Sequence, residues 1–183
     1  MTKKVLVPIA DGVEEIESMT VIDMLRRAGA DLTVASVQEK RVTAAHGVVI
    51  VADRLIRDCI EEEYDLVALP GGIPGATNLA NSDDLIRILK KQNEKGKRYA
   101  AICASPAVVL KPHGLLDAKR ATCYPGFSGD LGDSYTDSAA VVTDGNCTTS
   151  QGVGTAIEFA LQLVESLYGS EKAEELSAAI LFR

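Results

Sequence analysis

Cys103 and Glu17 are the two residues of this 183-residue chain whose types and settings could do covalent chemistry together. Cys103 sits in YAAICASPAVVL, residues 99–110, at the seam between an apolar run and a small-residue turn. A strand ending at Ile102 and a helix opening near Ser105-Pro106 would put Cys103 on a sharp turn. Proline suits the first helical position because its missing N–H costs nothing there, and Ala104 leaves room for the backbone to turn. A thiol so placed faces the free N–H groups of a helix start, which stabilise a thiolate, in the manner of a nucleophile elbow with Cys in place of Ser. The bland alternative is a small buried hydrophobe.

Glu17 belongs to the series Val13, Glu17, Thr20, Val21, Met24, Ala28, which forms one face of a helix. The other members are apolar or nearly so, which places a carboxyl in the core-facing stripe; the alternative is that the first turn bends it into solvent. A buried carboxyl keeps its proton more readily than a free one. It could then donate a hydrogen bond to a thiolate or sulfinate, or pass a proton to a substrate. Glu14 and Glu15 read differently, as first-turn acids that complement the helix dipole. Gly71-Gly72, after Pro70, would let the backbone approach a ligand and offer N–H groups to an oxyanion; a plain loop is the alternative. GGIPGATN lacks the Gly-Lys-Ser/Thr of a phosphate loop.

The remaining candidates are weaker. Cys59 and Cys147 read as core residues. Cys123 precedes Tyr124-Pro125 in a loop and could reach the strand ends. His46 could line a site or cap a hairpin, and His113 follows a proline in a surface turn. Four scattered cysteines without a CxxC, and only two histidines, argue against a structural metal and against disulfides.

These residues need a scaffold, and the chain alternates strand and helix. Strands are expected at Lys4–Ile9, Asp31–Ser36, Asp65–Leu69 and Arg98–Ile102. Helices are expected at about Val13–Ala28 and at Asp83–Asn93, the latter with Ser82 as N-cap. Val42–Val51, broken by His46-Gly47, reads as a hairpin-like excursion. Short strands are expected at Arg120–Tyr124, Ala139–Thr143 and Asn146–Ser150, then helices at Gly152–Leu167 and Glu171–Ala179. Short apolar strands separated by helices imply a parallel sheet covered on both faces. In such sheets sites form at the carboxyl ends of the strands, where Ala10–Glu17, Pro70–Gly75 and Cys103–Pro106 would arrive together. The absence of a repeat or linker predicts one domain over residues 1–183.

The net charge of −7 and the lack of a basic cluster disfavour tight nucleic-acid binding. No signal peptide and no run long enough to span a bilayer is read, so a cytoplasmic protein without membrane contact is expected.

VLVPIADGVEEIE, IDMLRRAGADLTVASV, YDLVALPGGIPGATNL, AAICASPAVVL and TTSQGVGTAIEFAL, in this order, resemble the ThiJ/PfpI superfamily over almost the whole chain, in its branch of the Parkinson-disease-associated protein deglycase. The resemblance implies an α/β, flavodoxin-like three-layer sandwich with a mostly parallel central sheet, similar to class I glutamine amidotransferases, and a homodimer with contacts through the first helix. It implies Cys103 as the reactive cysteine, Glu17 as its protonated partner, and an oxyanion pocket from the N–H groups of Gly72 and Ala104 beside Gly71. Arg27 and His46 would lie near the site in that arrangement. The implied activity is a cofactor-independent glyoxalase or deglycase acting on a small-molecule aldehyde or glycated adduct. Redox sensing or chaperoning through oxidation of Cys103 is the alternative. Many relatives carry His where this chain has Tyr124. No Cys–His–Glu triad can be assembled there, which weighs against peptidase chemistry.

Overall fold

A computed structural model describes residues 2–182. Seven strands form one sheet in the order β5-β2-β1-β6-β7-β9-β8: β1 (Lys4–Ile9), β2 (Asp31–Ser36), β5 (Arg54–Leu55), β6 (Leu66–Leu69), β7 (Arg98–Ile102), β8 (Val141–Asp144) and β9 (Cys147–Ser150). All neighbours are parallel except β8 and β9, an antiparallel pair turning at Gly145. A separate two-stranded ribbon, β3 (Arg41–Thr43) with β4 (Val49–Val51), is the predicted hairpin excursion.

The sheet is covered on both faces because its strands are apolar on both. In β7, Ala100 and Ile102 enter one core, with α1 (Glu15–Arg27) and α5 (Ala156–Tyr168). Tyr99 and Ala101 enter the other, with α2 (Gly75–Ala80) and α3 (Asp83–Glu94). That alternation is the strand period of two acting on a doubly covered sheet. The result is a flavodoxin-like three-layer sandwich with a mostly parallel sheet. Ser82 caps α3 as expected, its Oγ accepting from the Leu85 N–H. The chain closes with α6 (Ser170–Ala179), packed on α5.

Three expectations shift. Arg120–Tyr124 forms no strand of the sheet: Ala121 makes one isolated bridge to Tyr135, and the Thr122 N–H turns to the Thr149 hydroxyl. The predicted helix from Gly152 starts instead at Ala156, after a single 3-10 turn over Val153–Thr155. The helix expected after Cys103 is a five-residue π-type turn, Pro106–Leu110, with the Lys111 N–H reaching back five residues to the Pro106 carbonyl. Proline does open it, as predicted.

Candidate active site

Cys103 occupies the left-handed backbone region, at φ 65°, which non-glycine residues seldom adopt and which the surrounding structure must hold in place. Two backbone hydrogen bonds hold it: its N–H donates to the Ser150 carbonyl at 3.0 Å, and its carbonyl accepts from the Tyr124 N–H at 2.8 Å. The Ser105 hydroxyl donates to the Pro70 carbonyl at 2.6 Å, tying the turn to the glycine loop. The elbow expected from the strand–turn–proline pattern is therefore present, and the side chain is half-buried.

Glu17 is fully buried on the first turn of α1. Its Oε2 accepts from the Gly71 N–H at 2.8 Å, while Oε1 is buried with no hydrogen-bond partner among the described residues. An acid proton therefore belongs on Oε1, where it relieves an otherwise unmet buried oxygen. Oε1 and the Cys103 sulfur border the same space: a β-carbon placed on Gly152 would lie 3.9 Å from the first and 4.0 Å from the second. Burial pushes Glu17 up to about 7, helped by the Glu14 charge and opposed by the Gly71 N–H and the approach of Cys103.

Gly71 is what lets acid and thiol meet. A β-carbon there would stand 2.6 Å from Cys103 Cβ and 2.8 Å from Glu17 Oε2. Gly72, at φ 90°, turns the loop so that its N–H, with that of Ala104, is directed at the Cys103 sulfur. Those two N–H groups lower the thiol pKa, but burial, the Glu17 charge and the Glu17 contact outweigh them and push Cys103 up to about 12. The expected acidic thiol is thus not found while Glu17 is charged. The physical reason is that partial burial of the sulfur, together with the Glu17 carboxylate facing it, outweighs the two N–H groups. Below about 7 the pair is therefore neutral, with the acid proton on Oε1; above it the pair carries one negative charge on Glu17, which can then accept the thiol proton within the site.

The pair opens into a cleft of about 350 Å³ whose walls include Glu14, Tyr124, Gly152 and Val153. Tyr124 is half exposed and stacks edge-on to Phe127, with ring centroids 6.4 Å apart. The other sequence candidates lie off the cleft. Cys123 is buried in the core; its thiol donates to the Tyr124 carbonyl at 3.3 Å, and burial pushes it up to about 11. His46 stands at the hairpin tip, its Nδ1 3.0 Å from Glu15 Oε2 and 3.9 Å from Glu14 Oε1. Arg27 lies at the far end of α1, paired with Asp23 at 2.6 Å. It does not enter the cleft of its own chain. Cys59 and Cys147 are core residues, as expected.

Two parts of the wall escaped the sequence reading. Glu14 is the N-cap of α1 rather than a first-turn acid, its Oε2 accepting from the Glu17 N–H at 2.7 Å. It is buried, as is Glu15, whose carboxylate takes the His46 N–H at 2.5 Å. Gly152 and Val153 form the opposite wall. The QGVG motif was visible, but helical periodicity absorbed it into the following helix. Among the described residues, Glu14, Glu15 and His46 are also the gathering of metal-ligating side chains, within 4.8 Å of one another.

A doubly covered parallel sheet that carries a cysteine on a strained elbow, beside a buried acid at its carboxyl edge, defines a class of thiol-bearing flavodoxin-like proteins. Residues 3–166 match the DJ-1/PfpI family, and the chain belongs to it. It is 48% identical over 181 residues to Protein DJ-1 homolog B of Arabidopsis thaliana, covering 98% of this chain and 41% of that protein. The chain thus spans less than half the length of that relative. It is 38% identical over 175 residues to the Caenorhabditis elegans protein named glutathione-independent glyoxalase DJR-1.2, covering 94% of this chain and 91% of that one. Among solved structures, oxidized Toxoplasma gondii DJ-1 superposes with a TM-score of 0.97 at 45% identity, over 99% of each chain. No helix among the described residues is long and apolar enough to cross a membrane.

Proposed function

We propose that the protein is a cysteine-dependent glyoxalase or deglycase that needs no cofactor and acts on methylglyoxal-type oxoaldehydes or their early amine and thiol adducts. The observation that carries this reading is the Glu17–Cys103 pair: an unpartnered buried carboxyl oxygen and a thiol bordering one open cleft. The relative from Caenorhabditis elegans, named a glutathione-independent glyoxalase, supports it. The task would be protection against carbonyl and oxidative stress in the cytoplasm, by a single domain spanning residues 1–183.

The steps balance without an external oxidant. Ionised Glu17 takes the Cys103 proton as sulfur attacks the aldehyde carbon, forming the C–S bond and moving the carbonyl electron pair onto oxygen. The N–H groups of Gly72 and Ala104 stabilise that oxyanion. Glu17 protonates it to a hemithioacetal, then removes the hydrogen on that carbon and delivers a proton to the neighbouring carbon. The aldehyde carbon is oxidised and the ketone carbon reduced, leaving a lactoyl thioester. Water cleaves it to lactate and regenerates the thiol. The test is lactate released from methylglyoxal by the purified protein and by its Cys103→Ala and Glu17→Gln variants. Full activity without the thiol would remove the proposal.

A second reading, a redox sensor or stress chaperone, is favoured by the same N–H groups and by the oxidized state named for the Toxoplasma relative. Two equivalents of peroxide would carry Cys103 to the sulfinate, accepting hydrogen bonds from protonated Glu17 and from the backbone. Mass spectrometry after mild peroxide should find two added oxygens on Cys103 alone, and earlier oxidation of Cys59 or Cys147 would sink this reading. A homodimer completes the proposal. Its support is the exposed apolar side chains Ile16 and Met19 on α1 and Val49 and Val51 on the adjoining ribbon. Sedimentation of wild type against Met19→Glu is the check.

A further inference from the structure

Glu14 is the second carboxylate of the cleft, and the reaction above gives it nothing to do. It is buried at the mouth wall, fixed by its cap hydrogen bond to the Glu17 N–H. Among the described residues its other oxygen takes no hydrogen bond, and His46 Nδ1 lies 3.9 Å from it. His46 is itself committed to Glu15 and points into solvent. The remaining wall is Tyr124, Pro125, Gln151, Val153, Thr155 and two glycines, with no lysine, arginine or histidine. The two N–H groups at the sulfur can take one oxyanion, that of the reacting carbonyl. A further negative group on the substrate would meet Glu14 and find no cation.

We infer that Glu14 is a specificity-determining residue that restricts the cleft to neutral and cationic carbonyl compounds. Resting on the glyoxalase or deglycase reading, this admits methylglyoxal and the carbinolamines it forms on lysine or arginine side chains. It turns away anionic oxoacids such as glyoxylate. A buried carboxylate fixed by a backbone bond acts at short range in a medium less polarisable than water, where one charge is worth about tenfold in rate or more.

The test reads the cleft through its own thiol, so it does not depend on turnover. Cys103 is modified with 2-aminoethyl and with 2-sulfonatoethyl methanethiosulfonate, and the rate ratio is divided by that of a free thiol. Peptide mapping assigns the modified cysteine. At about pH 6, below the Glu17 midpoint of about 7, Glu17 is mostly neutral and contributes little. His46, whose pKa is raised by its bond to Glu15, favours its cationic form and offsets part of the acidic charge at this wall. The corrected cation-to-anion ratio should be about tenfold in wild type and fall about fivefold or more in Glu14→Gln. Gln keeps an acceptor oxygen for the cap. If Glu14→Gln fails to fold, Glu14→Ser decides in its place: a neutral side chain preferred at helix N-caps should lower the ratio comparably. A wild-type ratio equal to that of the free thiol, or no fall in whichever variant folds, would overturn the inference. Methylglyoxal and glyoxylate turnover are measured alongside. Loss of methylglyoxal activity in wild type counts against the glyoxalase reading alone, since the thiol rates still decide the charge preference.

Discussion

The two ends of one strand pair, β7 and β9, carry two cysteines with the same raised pKa and different prospects. At the amino end, Tyr99 pairs with Cys147 and both are sealed in the core. At the carboxyl end, Ile102 pairs with Ser150 and the chain turns at Cys103. Burial pushes either thiol up to about 12. What differs is the surroundings. The Tyr99 hydroxyl beside Cys147 already donates to the Leu115 carbonyl at 2.6 Å, and Cys147 itself, 2% exposed, does not line the surface pocket formed nearby by Gly96, Arg98, Gly145 and Asn146. Cys103 faces a carboxyl oxygen without a partner, two N–H groups and open space. Desolvation alone therefore does not distinguish the proposed nucleophile from a core residue; a proton acceptor within reach and access from outside do. The parallel sheet supplies both at one end only, because the loops leaving its carboxyl edge diverge.

The largest expected effect tests that contrast directly. In the native protein iodoacetamide should label Cys103 and leave Cys147 untouched, and Cys103→Ala should lower lactate formation by about a thousandfold or more. Comparable labelling of Cys147 would break the comparison. Glu17→Gln comes next, lowering turnover about 10²- to 10⁴-fold by removing the proton carrier. It also changes stability with a defined sign. The native carboxyl holds its proton to about 7, against 4.5 for an exposed glutamate. Glu17 therefore contributes most below 4.5, and stability is lost as pH rises toward 7, by roughly 3 kcal/mol. Urea midpoints across that window should fall in wild type relative to Glu17→Gln, and parallel curves would show that Glu17 ionises freely.

Much of this contrast was legible before the structure, for reasons that differ by residue. Glu17 was found because helical periodicity is strong and a carboxyl in an apolar stripe stands out. Cys103 was found because strand, small residue and proline mark an elbow, and the left-handed backbone at that position agrees. The thiol's high pKa was not legible, since desolvation depends on packing from α1, the glycine loop and β9 at once. Glu14 was misread because an N-cap and a first-turn acid differ by one residue of helix boundary, less than sequence patterns resolve. Arg120–Tyr124 has the composition of a strand, but whether it pairs depends on neighbours distant in sequence.

Gly71→Ala sharpens the comparison at intermediate cost. The added methyl would overlap Cys103 Cβ, Glu17 Oε2 and the Ile102 carbonyl. Two of these contacts belong to the proposed Cys103–Glu17 pair and the third to backbone, so none can yield without moving that pair. Destabilisation of about 1–3 kcal/mol is expected from the overpacking, with Cys103 labelling altered as well. Calorimetry and iodoacetamide rates on the same samples measure both. An ordinary labelling rate at reduced stability would mean that the close packing at Gly71 serves the fold alone.

Cys147→Ala should have the smallest effect and is the most discriminating. It deletes one buried sulfur, at a cost of about 1 kcal/mol for the small cavity left behind. The question is whether that loss travels along β9. Ser150, three residues on, holds the Cys103 N–H through its carbonyl at 3.0 Å. If β9 stays in register, the elbow keeps its left-handed backbone and Cys103 reacts at the wild-type rate within about twofold, as expected for separated sites. A larger change in rate would show that the sealed end of the strand pair helps to hold the strained turn at the open end. The two ends would then be one mechanical unit rather than a site and its scaffold.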